Sequence, residues 1–138
     1  MVTSKEQEAR DRFAARYREE RVDVVREIER RVIGGDWGAN GYTTISQADD
    51  LADRLGLRRG DLLLDVGAGR GWPGLYLAAT TGCSLVLADL PLEALTVAAT
   101  RISVDGLGER AWCVNASARH VPFSAASFDA VVHTDVLC

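Results

Sequence analysis

The sequence predicts an α/β fold with a doubly wound parallel sheet of about four strands, preceded by an N-terminal helical extension. Short apolar runs alternate with helical segments from Leu62 onward, and this alternation is typical of right-handed βαβ units. The first run, Leu62 to Val66, is apolar apart from one acid, which suits a strand buried on both faces. A glycine-rich loop follows it and opens a helix, at the edge of the sheet where such folds bind ligands.

Residues 1–41 are predicted to form the extension, in which residues 4–33 form one long helix. Apolar side chains recur along this helix at spacings of four and seven, which indicates a packed stripe. The stripe consists of Phe13, Tyr17, Val24, Ile28 and Val32. Basic and acidic residues are nearly balanced, which favours a solvated face over a nucleic-acid patch. Gly34 and Gly35 are expected to end the helix.

A loop over residues 36–44 carries two large aromatic side chains, Trp37 and Tyr42. Two interpretations stay open: the aromatics pack back onto the domain, or the loop forms a flap over a pocket. Ser46 is predicted to cap the short helix that follows, with Asp49 at its third position in the manner of a capping box. Gly56 is expected to end that helix.

The remaining elements follow from apolar runs and from the positions of glycine and proline. Pro73 suits the first turn of a helix and Gly82 its end, while Pro91 stands at the start of the next helix. The predicted helices span residues 73–81 and 92–104. The predicted strands span residues 62–66, 84–88 and 111–114, with a fourth inside residues 127–134.

Length and composition are those of one ordinary globular domain. The chain has 138 residues, of which 47% are apolar and 26% charged, and its net charge is −4. This charge argues against nucleic acid and anionic membranes as partners. No apolar run approaches the roughly 20 residues of a membrane span. The polar segment from Met1 to Arg12 lacks the apolar stretch of a secretory signal, which favours a cytoplasmic protein.

The three cysteines, Cys83, Cys113 and Cys138, have no CxxC spacing, and the chain has only two histidines. A zinc site is therefore not expected. The odd number of cysteines fits a reducing compartment. Cys83 and Cys113 are expected to be small buried apolar side chains.

The segment from Leu62 to Asp89 has the features of a nucleoside-cofactor site. Its glycines let the backbone approach a ligand, and the following helix N-terminus offers unpaired N–H donors. Asp89 ends the second strand, 20 residues after Gly69, where a carboxylate can accept hydrogen bonds from both hydroxyls of a ribose. The alternative for Asp89 is a cap on the turn before Pro91.

The glycines allow two cofactor classes. Residues 69–74 formally match the Gly-x-Gly-x-x-Gly dinucleotide fingerprint. In that fingerprint the first glycine follows the strand directly; here that residue is Gly67, which puts the bulky Trp72 at the sixth position. Asp65 is a poor neighbour for phosphate and suits a ligand with an ammonium group, although it could also be a structural hydrogen-bond acceptor. A nicotinamide-dependent oxidoreductase is the alternative interpretation.

Three sequence blocks together resemble the class I S-adenosylmethionine-dependent methyltransferases. Residues 65–71 resemble the family's first signature, Asp-x-Gly-x-Gly-x-Gly, and Asp89 falls at its ribose-binding acid. Residues 121–132 are similar to a later block, Leu-Pro-Phe-x-x-x-Ser-Phe-Asp-x-Val-Val, in which a Pro-Phe turn leads into the fourth strand. The resemblance implies a Rossmann-like domain over residues 42–138, with S-adenosyl-L-methionine as cofactor and methyl transfer as the reaction.

The resemblance also implies which residues contact the methionine portion of the cofactor. Gly67, Ala68 and Gly69 pass under it, Gly71 completes the signature, and Asp65 lies near the amino group. Carried over in the same way, Tyr42 and Thr43 belong to a segment that often covers the methionine end.

On the nucleoside side, the resemblance implies that Asp89 holds the ribose and that Leu90 lies against the adenine. Ser117 and Ala118 follow the third strand, where the family usually presents an acid to the adenine amino group. A serine hydroxyl or a backbone N–H is expected to replace that acid here.

The resemblance places Thr134 and Asp135 on the side of methyl transfer, although Asp135 could be an exposed loop acid. The donor of such a reaction is already activated, so positioning and exclusion of water are the main tasks. We assign no catalytic base. His133 could act as one, but a histidine within a strand is more often packed. The implied acceptor is a small molecule.

The family's sheet has seven strands, and this sequence is expected to supply four of them in the order three, two, one, four. A truncated gene product, a fragment, or a dimer in which sheet edges pair would each explain this. The apolar edge at residues 130–132 is expected to favour self-association. The alternative function is a non-catalytic module that keeps the fold and acts through partner contacts.

Overall fold

The computed structural model describes residues 2–19 and 21–136, and it confirms the predicted fold class. Its helices are α1 (Ser4–Arg18), α2 (Asp23–Val32), α3 (Ile45–Leu55), α4 (Gly74–Thr81) and α5 (Leu92–Val104). Its strands are β1 (Leu62–Val66), β2 (Ser84–Asp89), β3 (Ala111–Asn115) and β4 (Ala130–Val132). All strand pairs are parallel, in the order β3-β2-β1-β4. This is the order that the sequence predicted.

One face of the sheet carries the main core. Leu63, Leu85 and Leu87 point to this face and are fully buried, and they pack with Leu77 of α4 and Leu95 of α5. Burial of each such side chain stabilises the fold by about 1.5–3 kcal/mol. Both connecting helices therefore hold the carboxyl ends of β1 and β2 in fixed positions.

The opposite face is covered by the segment between β3 and β4. Leu64 and Val86 are buried there beneath Phe123 and Phe128, whose rings meet edge to face with centroids 4.9 Å apart. This explains the Pro-Phe block of the sequence in packing terms. The outer edge of β4 has no strand partner in the described part of the chain, and Val131 is 53% exposed. Self-association through this edge stays a prediction.

The prediction of a single helix over residues 4–33 is wrong, because the helix is interrupted between α1 and α2. Glu19 and Val22 adopt extended backbone with ψ of 130° and 154°. Arg21, within the break, forms ion pairs with Glu29 and Asp36. The turn brings this guanidinium inward, which a continuous helix with solvated charges would not do.

The predicted apolar stripe is also wrong in its second half. Val24, Ile28 and Val32 are 63%, 56% and 50% exposed, whereas Glu29 on the same helix is only 6% exposed. Tyr17, in the first half, is buried as expected. Helix α2 thus packs through its charged side, because Glu29 holds the loop that follows it.

The cap of α3 differs from the prediction. Thr44, not Ser46, is the N-cap, and it exchanges hydrogen bonds with Gln47 in a capping box. Asp49 instead accepts a hydrogen bond from the Tyr76 hydroxyl at 2.6 Å. Gly56 ends the helix in the left-handed conformation, as expected.

The structure confirms the packing interpretation of the aromatic loop for Trp37, and the flap interpretation stays a prediction. Trp37 packs back onto the domain, with its ring 5.1 Å from that of Trp72 and 5.4 Å from that of Tyr76. Tyr42 is 80% exposed and borders a cavity. No helix of the described residues is both long and apolar enough to cross a membrane.

Candidate functional site

A cavity of about 420 Å³ lies at the carboxyl ends of the strands, with α1 forming one wall. Its volume is within the range of small-molecule sites. The last residue of β2 and the loops that follow β1, β2 and β4 contribute residues 67–70, 89–91 and 134–136, the loop before α3 contributes residues 38–42, and α1 contributes Ala9, Arg10, Phe13, Arg16 and Tyr17. The structure therefore brings together most of the residues that the sequence assigned to a site, although they come from distant parts of the chain.

The glycine loop is held against the end of β2. The Gly67 N–H donates to the Ala88 carbonyl oxygen at 2.8 Å, and Gly67 and Gly69 both have positive φ, of 72° and 54°. A Cβ at Gly69 would lie 2.8 Å from the Tyr17 hydroxyl oxygen. Position 69 therefore requires glycine, both because of the positive φ and because a Cβ would collide with the Tyr17 hydroxyl.

Asp89 is tied into this loop. Its Oδ2 accepts the Gly69 N–H and its Oδ1 accepts the Leu90 N–H, both at 2.7 Å. Burial raises the pKa of the Asp89 carboxyl, and these two N–H bonds act in the opposite direction. Asp89 therefore caps the turn before Pro91, which was the alternative interpretation of this residue. It also lines the cavity. Each oxygen has a second lone pair with which it can accept a ligand hydroxyl.

Asp65 and Gly71 do not line the cavity. The Asp65 side chain is fully buried under the loop, where its Oδ2 accepts the Gly74 N–H at 3.0 Å. Its Oδ1 has no hydrogen-bond partner among the described residues. Burial raises the pKa of this carboxyl from 3.8 to about 8. Gly71 is limited by packing, since a Cβ there would lie 2.4 Å from the Leu75 Cδ1.

Asp135 lines the cavity and is itself exposed, as the alternative of an exposed loop acid expected. Its Oδ2 accepts the Tyr42 N–H at 3.1 Å and the Thr43 hydroxyl at 3.2 Å, which joins the loop before α3 to the end of β4. Thr134 and Asp135 line the cavity, as expected for the transfer side, but Thr43 does not. His133 is exposed and does not line the cavity, so the structure places no histidine base there.

Ser117 and Ala118 lie outside the cavity lining as well. The Ser117 hydroxyl donates to the carboxylate of Glu6 on α1. This bond is the main reason why the pKa of Glu6 falls from 4.5 to about 2. An acid thus stands beside the position after β3, but it comes from the N-terminal extension, where no sequence pattern pointed to it.

Other wall residues were also missing from the sequence-based site. Phe13 and Tyr17 were predicted only as packing residues of a stripe, and Arg16 was assigned to a solvated face. Arg70, inside the glycine signature, is 8% exposed and lines the cavity. Among the described residues no group of histidine, cysteine and acidic side chains could hold a metal ion. Cys83 is buried and Cys113 is half-buried, whereas Cys138 lies outside the described residues.

The chain is similar to known proteins over this region. Residues 63–138, more than half of the chain, match a family model described as a methyltransferase domain. The methyltransferase GfsG of Streptomyces halstedii is 36% identical over 83 residues, which are 60% of this chain and 30% of that protein. An uncharacterized protein of Mycobacterium tuberculosis is 38% identical over 104 residues, 71% of this chain and 37% of that protein. The chain thus spans about a third of the length of the curated relatives it matches.

Solved structures share the fold. A crystal structure of an S-adenosylmethionine-dependent methyltransferase from Thiobacillus denitrificans, in complex with S-adenosyl-L-homocysteine, has a TM-score of 0.61. The match covers 85% of this chain and 45% of that one at 19% identity. At this identity the similarity is one of fold alone.

Proposed function

The chain belongs to the methyltransferase-domain family, and on this premise we propose that it binds S-adenosyl-L-methionine in the cavity beside Gly67 and Gly69 for methyl transfer to a small molecule. The observation that carries the proposal is the bond from the Gly69 N–H to Asp89, which fixes bare glycine backbone and a carboxylate side by side on one cavity wall. In the proposed arrangement, residues 42–138 form the cofactor domain and residues 1–41 cover it.

The residues fit such a ligand. Gly67 and Gly69, both with positive φ, add no side chain of their own to the cavity wall. The Val136 side chain and the Tyr17 hydroxyl lie next to them, so a ligand would be bound between the glycine loop and these two residues. Asp89 has free lone pairs for the ribose hydroxyls, and Leu90 and Pro91 offer apolar surface next to it. When bound, S-adenosylmethionine supplies a methyl group that its sulfonium charge has already activated.

This chain's own contribution is to orient the ligand and to exclude water. Phe13 and Tyr17 of α1 line the cavity, with the Tyr17 hydroxyl next to Gly69, and Asp135 binds the Tyr42 N–H and so joins that loop to the end of β4. An acceptor reaches the methyl group between these walls, which favours a small molecule. The negative charge of the chain supports the same choice over nucleic acid.

Titration calorimetry with S-adenosyl-L-homocysteine and with NAD tests the proposal. We expect heat of binding with the first ligand and none with the second, because Trp72 at the sixth fingerprint position is packed against Trp37. Binding of NAD without binding of S-adenosyl-L-homocysteine would overturn the proposal. Transfer of labelled methyl groups from S-adenosylmethionine to small-molecule acceptors separates the enzyme from the non-catalytic module, which would bind the ligand and transfer nothing.

Replacement of Asp89 by alanine is expected to weaken S-adenosyl-L-homocysteine binding by about 1–3 kcal/mol, or about 5- to 150-fold. The change removes the proposed ribose acceptor and leaves two loop N–H groups without a partner. Calorimetry on the purified variant measures this loss. Asp89→Asn keeps one oxygen acceptor and should lose less, while Asp53→Ala on the exposed side of α3 should bind as the wild type does. An unchanged affinity in Asp89→Ala would contradict the ribose role.

A further inference from the structure

Helix α2 turns an apolar surface to the solvent, which we call the α2 face. Its members lie one, three and four positions apart and are 63%, 44%, 56% and 50% exposed: Val24, Val25, Ile28 and Val32. This spacing puts them on one side of the helix. None of the four belongs to a hydrophobic cluster of the described residues. A helix on a globular domain ordinarily packs such a side against the core, so its exposure here indicates a contact surface.

The buried side of α2 keeps this face outward. Glu29 is 6% exposed and pairs with Arg21. It also accepts the N–H groups of Trp37 at 2.7 Å and Ala39 at 3.0 Å. Turning the helix over to bury the α2 face would break all of these bonds. The face therefore stays exposed in the folded chain, and its cover comes from outside the described residues.

The charges beside the α2 face divide along the helix. Asp23 and Glu27 are exposed acids of its first half. Arg30 and Arg31 are exposed bases of its second half. Arg26 also lies in the first half, but its Nε is buried. One end of the exposed surface is thus acidic and the other is basic.

This division makes the surface complementary to itself. An antiparallel copy of the helix would set the acidic half of each against the basic half of the other, whereas a parallel copy would set like charges together. A two-fold interface between identical chains requires such a self-complementary patch. Glu27 and Arg31 lie on the same flank of the helix, since Arg31 Nε is 2.8 Å from Glu27 Oε1. They can therefore exchange partners between two copies.

We propose that two copies of this chain associate through the α2 face, with their helices antiparallel across a two-fold axis at Ile28. In this arrangement Ile28 packs against its counterpart, and Val24 of each copy lies opposite Val32 of the other. Glu27 of each copy lies on the same flank as Arg31 of the other and within one helical turn of it. The acids beside the face disfavour an anionic membrane surface as the occupant.

The size of the α2 face sets the strength of the dimer. A helix of 10 residues is about 15 Å long. Two such helices form an interface below about 1,200 Å², the range of weak and transient complexes. We therefore expect a dissociation constant on the order of 10–100 μM.

Sedimentation equilibrium of the whole chain, from well below to well above this concentration, tests the proposal. The wild type should pass from monomer to dimer, and Ile28→Glu should associate at least about 10-fold more weakly, because it puts two like charges at the axis. Val131→Glu is the matched control. Val131 is an apolar residue of β4 with a similar exposure of 53%, and its replacement should leave the association unchanged.

A charge exchange tests the antiparallel arrangement. Glu27→Arg and Arg31→Glu should each weaken association about 3- to 10-fold, because each puts like charges opposite one another. An equimolar mixture of these two variants should associate about as the wild type does, since every new base then meets a new acid. Both variants break the pair within their own helix, so recovery in the mixture can come only from contacts between copies.

Four results would overturn the proposal. The wild type could stay monomeric at every concentration, or its association could survive Ile28→Glu and disappear in Val131→Glu, which would place it at β4. The mixture of charge variants could fail to recover. Finally, a monomer could bind phosphatidylglycerol vesicles and lose that binding in Ile28→Glu, which would make the face a lipid contact. Thermal melting of each variant checks folding, and the exposed charge variants decide alone if Ile28→Glu does not fold.

Discussion

Replacement of Glu29 by alanine is expected to lower the free energy of unfolding by about 2–4 kcal/mol, because two backbone N–H donors lose their acceptor and Arg21 loses one of its two carboxylate partners. The Glu29 side chain is 6% exposed, and its Oε2 pairs with Arg21. Its Oε1 accepts the N–H groups of Trp37 at 2.7 Å and Ala39 at 3.0 Å. Alanine would leave the charge of Arg21 and two backbone donors without this partner. Urea denaturation followed by circular dichroism measures the loss.

Two variants control this experiment on the same helix. Glu27→Ala removes an exposed acid that pairs with Arg31 at 2.8 Å, and exposed pairs of this kind contribute less than about 1 kcal/mol. Glu29→Gln keeps an oxygen acceptor for the loop N–H groups and loses the charge, so its loss should be intermediate. Equal effects of Glu29→Ala and Glu27→Ala would contradict the buried role.

The hydrogen bonds of Glu29 also affect the cavity. The two N–H groups that it binds belong to Trp37 and Ala39, and the cavity wall begins with residue 38 of the same loop. Arg101 reinforces this stretch by donating to the carbonyl oxygens of Asp36 and Trp37. Helix α2, through Glu29, thus helps to position the loop that forms one wall of the cavity. Glu29→Ala should for this reason weaken ligand binding as well as stability.

The sheet and its glycine loop could be predicted from sequence because their signals are local. β1 has the predicted limits, and Asp89 and the glycines lie where a strand–loop–helix unit must put them. An unalternating apolar run and a glycine with positive φ each reflect the environment of a few neighbouring residues. The strand order was predicted from the family resemblance, because a family's fold already includes the long-range packing that local signals do not give.

The extension could not be predicted because contacts across the chain decide its structure. The break after α1 depends on Arg21 meeting Glu29 and Asp36, which lie 8 and 15 residues further on. Spacing alone assigned Ile28 to the core and Glu29 to solvent, and the structure reverses both. The burial of Arg70 could not be predicted either, because the glycine signature leaves its position free and the contact with Tyr17 joins residues far apart in the chain.

The cap of α3 shows a smaller failure of the same kind. Thr44 and Ser46 are both good N-cap residues. Glutamine, as in Gln47, fits the third position of a capping box better than Asp49 does. By that rule Thr44, with Gln47 at its third position, is the better N-cap. The role of Asp49 as acceptor for Tyr76 needs the position of α4, which no local rule gives.

The stability of the protein without ligand is expected to fall as the pH rises from 5 to 8, because of Asp65. Its pKa is about 8 in the folded chain against 3.8 for an unperturbed carboxyl, and burial is the main cause. Between these values the unfolded chain releases a proton that the folded chain keeps, so each pH unit lowers the free energy of unfolding by up to about 1.4 kcal/mol. Below about pH 4 both states are protonated, and the effect vanishes.

Asp65→Asn isolates this contribution, since asparagine does not titrate and its amide oxygen can still accept the Gly74 N–H. Urea denaturation of both proteins at pH 5, 6, 7 and 8 should show the variant gaining on the wild type with each unit. The summed gain is about 3–4 kcal/mol at most over this range. The other groups with shifted pKa values, Asp89 and Glu6, are present in both proteins, so the difference cancels their direct effects. A constant difference across the range would mean that Asp65 is already ionised in the folded chain, and that its Oδ1 has a partner in solution.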